Sequence, residues 1–323
     1  MLSRIAENLY WMTRYLERSE DTARLINAVT LMALDLPPEG RFGWDALIRI
    51  AGLDQAFRDR YEHADETSVM QFLISDESNP SSIISCVTHA RENTRTFRDL
   101  LPPECWESVN ELYLNTKQHL RGSLERRRRY EILQSVIRDC QGMVGLLVGT
   151  MSRDDAFHFM RLGRHIERAD MTSRILDVAH AVILPSGDVT AAPYNGLIWM
   201  NILKALSAYQ MYRRYVGVRS ESDDVIGFLF KNSAFPRSIR YCMQQIGEVL
   251  NGPLPSAPPA SETVAQITKV LDNADMPALA KLGLHEFIDA FQSLLIQLDA
   301  QLKHEYFQVV ICGRAPVGTA SAA

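Results

Sequence analysis

The residues of this chain best suited to chemistry are arginines and glutamates that occur twice in the same spacing, 150 positions apart. Each copy reads Arg-x-x-Glu-Arg-x-x-x-Thr-x-Arg. The paired positions are Arg14 and Arg164, Glu17 and Glu167, Arg18 and Arg168, Thr22 and Thr172, and Arg24 and Arg174. Guanidinium groups bind carboxylates and phosphates through two parallel hydrogen bonds, so the pattern suits a site for an anionic group.

The same pattern also has two structural explanations, as alternatives to a binding site. Arginine and glutamate at these spacings form ion pairs on solvated helix faces, each worth only a few tenths of a kcal/mol. They are also typical of buried networks that fix how two parts of a protein dock. Apolar neighbours differ between the copies, as with Leu16 and Ile166, whereas the polar positions agree. This difference favours a role beyond that of a solvated surface.

On a helical wheel the polar positions fall within an arc of about 120°, apart from the apolar stripe of Leu9, Met12 and Leu16. We predict that the two copies meet between the halves of the molecule, within salt-bridge distance or around one cavity. The predicted ligand-binding or network residues are Tyr10, Arg14, Glu17, Arg18, Thr22, Arg24, Arg91, Glu92, Asn93, Arg164, Glu167, Arg168, Asp170, Thr172 and Arg174. Of these, Glu92 or Asn93 is expected to face the first helix.

Glu17 or Glu167 could alternatively act as the general acid/base of an enzyme that acts on an amide or peptide. Neighbouring arginines lower a carboxylate's pKa, however, which suits a structural or binding role better. The sequence contains no recognisable nucleophile motif and no glycine-rich phosphate loop. The pairs Asp155/His158 and Asp177/His180 would lie about 33 Å apart on one helix, too far for one metal centre. We therefore predict no metal, no cofactor and no activity of the protein alone.

Hydrophobic periodicity near 3.6 residues predicts an all-α fold, because no long stretch alternates as a strand would. A first helix is expected over 2–34, ending before Pro37 and Pro38. Further helices are predicted over 44–61, 69–74, 83–101, 104–121, 124–151, 154–184, 195–216, 223–230, 236–250, 262–271 and 276–308. Four prolines in the segment 251–260 predict a loop.

Other matches extend the repeat along the chain, at offsets of 155 or 156 positions. They pair Pro80 with Pro236 and Cys86 with Cys242, among others. We predict an internally duplicated bundle, with repeats over 1–150 and 151–313 related by a pseudo-twofold axis, followed by a flexible tail over 314–323. The two repeats are expected to form one compact unit, because a long helix would leave apolar stripes uncovered alone.

The composition narrows the possible partners. The 323 residues contain 34 Lys and Arg against 39 Asp and Glu, a net charge of −5, which disfavours nucleic acid and anionic membranes as partners.

No apolar run reaches the ~18 residues needed to span a bilayer, and the N-terminus lacks a signal-peptide pattern. Five scattered cysteines indicate reduced thiols, and a cytoplasmic location is expected. The arginine run 126–129 is expected to be a solvated face or a helix-start loop, with contact with an acidic partner as the alternative and nucleic acid the least favoured.

Several motifs resemble the bacterial alpha-E domain family. They are Leu2-Ser3-Arg4-x-Ala6-Glu7-Asn8-Leu9-Tyr10-Trp11, Arg14-Tyr15-Leu16-Glu17-Arg18, Ala90-Arg91-Glu92-Asn93-x-Arg95, Gly163-Arg164-His165-Ile166-Glu167-Arg168 and Phe235-Pro236-Arg237-Ser238-Ile239. The resemblance implies an all-helical protein associated with ATP-grasp-type peptide or amide ligases, transglutaminase-like peptidases or proteasome-like hydrolases. It carries over no agreed catalytic residues. We therefore expect a non-catalytic binding or scaffold component, with a possible anionic peptide-like ligand.

Overall fold

Every regular element that the computed structural model describes is helical, which confirms the predicted all-α class. The described residues are 3–35, 43–120, 124–180, 194–254 and 257–308. The N-terminal helices are α1 Ser3–Asp35, α2 Asp45–Ala51, α3 Asp54–Arg58, α4 Glu66–Met70, α5 Ile83–Thr96, α6 Pro103–His119 and α7 Arg126–Thr150. The C-terminal helices are α8 Asp155–Val178, α9 Asn195–Ala205, α10 Tyr209–Tyr215, α11 Ser222–Lys231, α12 Ile239–Leu250, α13 Pro258–Asn273, α14 Met276–Lys281 and α15 Leu284–Leu302. Short π-helical turns follow α4, over Gln71–Ser75, and α15, over Lys303–Phe307, and a 3-10 turn covers Arg98–Leu100.

Helix α1 lies at the centre of the molecule, where it packs against α5, α7, α8 and α9. Its apolar stripe is buried, and so are several of its charged side chains. Helix α8 runs alongside α1 and carries α12 and α15 on its other sides. The repeated Arg/Glu positions therefore lie on two helices that face each other in the interior.

Glycine permits the close approach of α1 and α8. A Cβ atom at Gly163 would lie 2.2 Å from the Tyr10 carbonyl oxygen and 2.7 Å from the Thr13 hydroxyl oxygen. The Thr13 hydroxyl donates a hydrogen bond to the Met160 carbonyl oxygen at 2.8 Å, which ties the two backbones together. Only the smallest residue fits at this crossing.

Serine side chains begin two helices at positions 156 residues apart. Ser82 accepts a hydrogen bond from the Ser85 amide at the start of α5 and is therefore its N-cap. Ser238 accepts a bond from the Tyr241 amide at the start of α12 in the same way. The Cys86 and Cys242 thiols, also 156 apart, contact the carbonyl oxygens of Pro80 and Pro236.

Three helices predicted as unbroken are interrupted where one residue adopts a positive φ. The segment 44–61 breaks at Gly52, 195–216 at Ser207 and 276–308 at Gly283, with φ values of 68°, 54° and 89°. The apolar period continues across each break, so periodicity alone did not mark them. The predicted loop 251–260 was also wrong in part, because α13 begins at Pro258, and proline is favoured at the first helical position.

Several predictions fall outside the described residues. They concern the helix ends near Pro37, Arg121 and 184, the thiol of Cys312 and the tail 314–323. The other four cysteines are buried free thiols. Within the described ranges, no helix has the length and apolar character needed to cross a bilayer.

Candidate functional site

The two sequence copies meet in reciprocal ion pairs between α1 and α8. Arg18 binds both carboxylate oxygens of Glu167, with Nε–Oε1 and Nη2–Oε2 distances of 2.6 and 3.0 Å. In the opposite direction, Arg168 Nε lies 2.7 Å from Glu17 Oε1. Arg14 Nε adds a third bond, 2.7 Å from Glu167 Oε2. The expected cross-pairing at salt-bridge distance is therefore present.

The neighbouring arginines keep both buried glutamates ionised. The side chains of Glu17 and Glu167 are 1% and 2% exposed. Burial alone would raise the pKa of Glu167, but Arg18 and Arg14 outweigh it and lower that pKa to about 2. Arg168 and Arg237 likewise hold the pKa of Glu17 below its ordinary value. Both groups thus remain anionic at neutral pH.

Arg237, which precedes α12, is a buried member of this cluster that the repeat analysis missed. Its Nη2 atom lies 2.8 Å from Glu17 Oε1 and 2.9 Å from Glu20 Oε1, and its Nη1 atom binds Asp21. The Thr172 hydroxyl donates to the Arg237 carbonyl oxygen at 3.0 Å and so fixes the start of the segment. The only sequence signal for Arg237 was its place in a motif of the resembled family.

Asp299 on α15 is a second residue that the repeat analysis missed. It accepts hydrogen bonds from the Tyr10 hydroxyl and from Arg14 Nη1, the latter at 2.8 Å. Lys303 lies 2.8 Å from its other oxygen. Asp299 thereby joins the C-terminal helix to the α1 end of the network, an arrangement that no repeated position could indicate.

The remaining predicted positions of the two copies flank this cluster. Arg24 pairs with Glu20 at 2.7 Å, and Arg174 pairs with Asp170 at 2.9 Å, each across one helical turn. Thr22 is buried on α1.

A cleft of about 310 Å³ opens beside the cluster, between α1, α7, α8 and the segments before α10 and α12. We name it the arginine cleft; it is lined by Glu20, Arg24, Gln141, Val144, Arg168, Leu206, Ser207, Phe235, Pro236 and Arg237. Arg24 donates to the Ser207 hydroxyl, and Ser207 adopts the left-handed conformation that is costly for a residue other than glycine. Within the described residues, Arg168 uses only Nε on Glu17, so its two terminal nitrogens remain open to a ligand.

Arg91, Glu92 and Asn93 form a separate polar group on α5. The Asn93 amide donates to the Asn8 carbonyl oxygen at 3.3 Å, so this residue faces α1 as expected. Arg91 and Glu92 do not complete the Arg/Glu cluster, because Arg91 bonds to Asn110 on α6 at 2.8 Å and to Glu92 itself. The α5–α6 contact draws these two side chains away from the α1–α8 interface.

The arginine run 126–129 is not a wholly solvated face. Arg129 is buried and lies 2.6 Å from Glu66, which Arg126 also binds at 2.6 Å. These side chains border a cavity of about 560 Å³. Arg127 is 95% exposed and matches the prediction for a solvated residue.

One group of side chains has the spacing of metal ligands. Ligand atoms of Asp177, His285 and Asp289 lie within 4.8 Å of one another. His285 is already shared, with Nδ1 2.7 Å from Asp177 and Nε2 3.5 Å from Asp289. The neighbouring His180 instead bonds to the Ala280 carbonyl oxygen.

Comparison with known proteins gives a family and no closer relative. Searches of the curated proteins and of the solved structures found no match. A family model matches residues 1–307, and it describes a predicted alpha-helical domain with a conserved ER motif. Glu-Arg dipeptides stand in this chain at Glu17-Arg18 and Glu167-Arg168, at the centre of the reciprocal ion pairs. The chain belongs to the Alpha-E family.

Proposed function

We propose that the chain consists of two copies of one helical unit, over 1–150 and 151–313, related by a pseudo-twofold axis. The exchanged pairs Arg18–Glu167 and Arg168–Glu17 support this proposal, since each half supplies the same two residue types to the other. The N-caps Ser82 and Ser238, 156 positions apart, give independent support.

We further propose that the protein is a non-catalytic binding component of a cytoplasmic bacterial system that forms or processes peptide or amide bonds. The ligand would bind through a carboxylate in the arginine cleft. The observation that carries this proposal is Arg168, whose Nε holds Glu17 while its terminal nitrogens have no protein partner at the cleft. A fork held in this way is preorganised for a carboxylate.

The charge balance around the cleft agrees with an anionic ligand. Among the residues that line it, Arg24, Arg168 and Arg237 contribute three guanidinium groups, against one carboxylate from Glu20. Half-buried positive charge that lacks a counterion attracts an anion.

The alternative of an enzyme with Glu17 or Glu167 as general acid/base has less support. A general acid needs a pKa near the working pH, whereas the pKa of Glu167 is about 2 and that of Glu17 is also lowered. Both carboxylates are buried in ion pairs rather than open to a substrate. These groups suit a rigid framework for the neighbouring cleft.

A binding component of this kind would act with a catalytic partner. An ATP-grasp-type ligase, a transglutaminase-like peptidase or a proteasome-like hydrolase could receive the bound peptide. We propose that the isolated protein neither hydrolyses ATP nor forms or cleaves an amide.

Calorimetric titration of the full chain with N-acetylalanine and N-acetylalaninamide tests the carboxylate site. We expect the acid to bind at least 10-fold more tightly than the amide. The Arg168→Lys variant keeps a cation for Glu17 but loses the fork, so we expect it to weaken binding of the acid roughly 10-fold or more. Arg127→Gln, a change at an exposed arginine, is the matched control and should leave binding unchanged. Equal binding of acid and amide, or an unaffected Arg168→Lys variant, would refute the proposal.

A further inference from the structure

Arg164 is a motif arginine that makes no hydrogen bond or ion pair within the described residues. Its Nε atom is buried and has no acceptor. The matching residue of the first copy, Arg14, bonds to Glu167, Asp299 and Tyr10. Glu17, the acid expected opposite Arg164, instead accepts from Arg168 and Arg237. The two copies therefore differ at this position, and only one arginine is satisfied.

The surroundings of Arg164 contain more positive than negative charge. The pKa of Arg164 is lowered to about 10, chiefly by burial and also by Arg168 and Arg161, whereas Glu17 and Tyr241 act in the opposite direction. Arg161, one turn earlier on α8, is paired with Gln245 and Glu248. A buried donor without an acceptor destabilises the folded protein, and more so when the donor is charged. This unused donor leads us to look for an acceptor beyond the described side chains.

Arg164 does not itself line the arginine cleft, but it lies on α8 one helical turn from a residue that does. Residues 164 and 168 are four apart on α8, so their side chains leave the same helix face about 6 Å apart. Arg168 lines the arginine cleft with free terminal nitrogens. Two guanidinium groups with unused donors thus stand one helical turn apart.

We propose that the ligand carries two carboxylates, one on Arg168 in the arginine cleft and the second on Arg164. The matching chemical class is an acidic residue at a peptide C-terminus, such as glutamate, whose two carboxylates are separated by three carbon atoms. Gln141 and Ser207 in the cleft lining offer polar groups to the neighbouring amide, and Val144 offers an apolar surface to the methylene groups. This inference rests on the proposed function, because it specifies the ligand of the same site.

Calorimetry with N-acetylglutamate and N-acetylglutamine tests the second carboxylate, because the two ligands differ only in that group. We expect wild type to prefer the glutamate ligand at least 10-fold. The Arg164→Gln variant should lose this preference and still bind N-acetylglutamine as wild type does. Arg161→Gln is the matched control: it changes a paired arginine on the same helix and should keep the preference.

Thermal unfolding is a second measurement, which checks that the variant is folded. Because Arg164 has no partner in the free protein, Arg164→Gln should unfold thermally at a temperature no lower than wild type. Equal binding of both ligands by wild type, or a preference that survives in Arg164→Gln, would overturn the inference but leave the carboxylate site intact. Binding of neither ligand, together with failure of N-acetylalanine to bind, would refute the proposed function itself.

Discussion

At the level of single residues, Asp21 differs from the other acids of the cluster. It shares Arg237 with Glu17 and Glu20, and its Oδ2 atom is buried without a hydrogen-bond partner. Burial raises the pKa of Asp21 to about 7; Arg237 opposes this rise, while the charges of Glu17 and Glu20 add to it. One guanidinium shared by three carboxylates does not compensate them all.

This raised pKa predicts a decline in stability between about pH 4 and pH 7. In that window the unfolded chain has released the Asp21 proton while the folded chain retains it, so the free energy of unfolding falls as pH rises. We expect the Asp21→Asn variant, which keeps an acceptor for Arg237, to remove roughly 1–4 kcal/mol of this decline. Urea denaturation at several pH values measures the free energy of unfolding of wild type and Asp21→Asn. An identical pH dependence in the two proteins would contradict a raised pKa of Asp21.

Glu167 makes the opposite contribution. Its lowered pKa adds stability as pH rises from about 2 to its ordinary value of 4.5. Substitution of Glu167 by Gln would leave Arg18 without a counterion and Arg14 with Asp299 alone, so we expect a loss of about 3–5 kcal/mol at pH 7. Glu131→Gln removes one partner of an exposed pair with Arg127 and should cost less than about 0.5 kcal/mol. Chemical denaturation compares the two; similar small losses would mean that the buried pairs contribute little.

The sequence predicted the cross-pairs of Glu17 and Glu167 because their spacing is repeated. It did not predict Arg237 or Asp299, which are single positions on later helices and whose contacts depend on how α12 and α15 pack. It also did not predict the isolation of Arg164, since identical residue types in the two copies meet different neighbours.

At the level of helices, the α1–α8 crossing depends on Gly163. Alanine there would place a Cβ atom 2.2 Å from the Tyr10 carbonyl oxygen, and backbone atoms cannot move aside cheaply. We expect Gly163→Ala to destabilise the protein by about 2 kcal/mol or more. Gly145→Ala in α7, where the added methyl meets open space, should instead stabilise it by about 0.5–1 kcal/mol through helix propensity. Thermal unfolding with both variants checks the contrast, and equal shifts would be inconsistent with the close contact.

The apolar periodicity of the sequence predicted that the helices exist, but it did not predict the positions where they are interrupted. Gly52 and Gly283 are residues that tolerate a positive φ, but isolated glycines also occur within helices, as Gly142 and Gly145 do in α7. Ser207 gave no local signal, because its conformation is linked to tertiary contacts that include the hydrogen bond from Arg24 on α1.

At the level of the whole molecule, α1 is covered by helices from widely separated parts of the chain. Glu17 and Arg18 pair with residues from α8 and beyond, and α1 packs against α5 and α7 as well as α8 and α9. We expect a fragment of residues 1–153 to lack a fixed tertiary structure alone and to gain one when residues 154–323 are added. Near-ultraviolet circular dichroism and NMR spectra of the separate and mixed fragments measure this. A cooperative unfolding transition of the first fragment alone would contradict it.

The long separation in sequence between α1 and its ion-pair partners affects how the chain is made. Helix α1 leaves the ribosome before its ion-pair partners, because Glu167, Arg237 and Asp299 follow some 150 to 285 residues later. At a translation rate of about 5–20 residues per second, these partners are synthesised on the order of tens of seconds after α1. During that interval, α5 and α7 are the helices already synthesised that can cover α1.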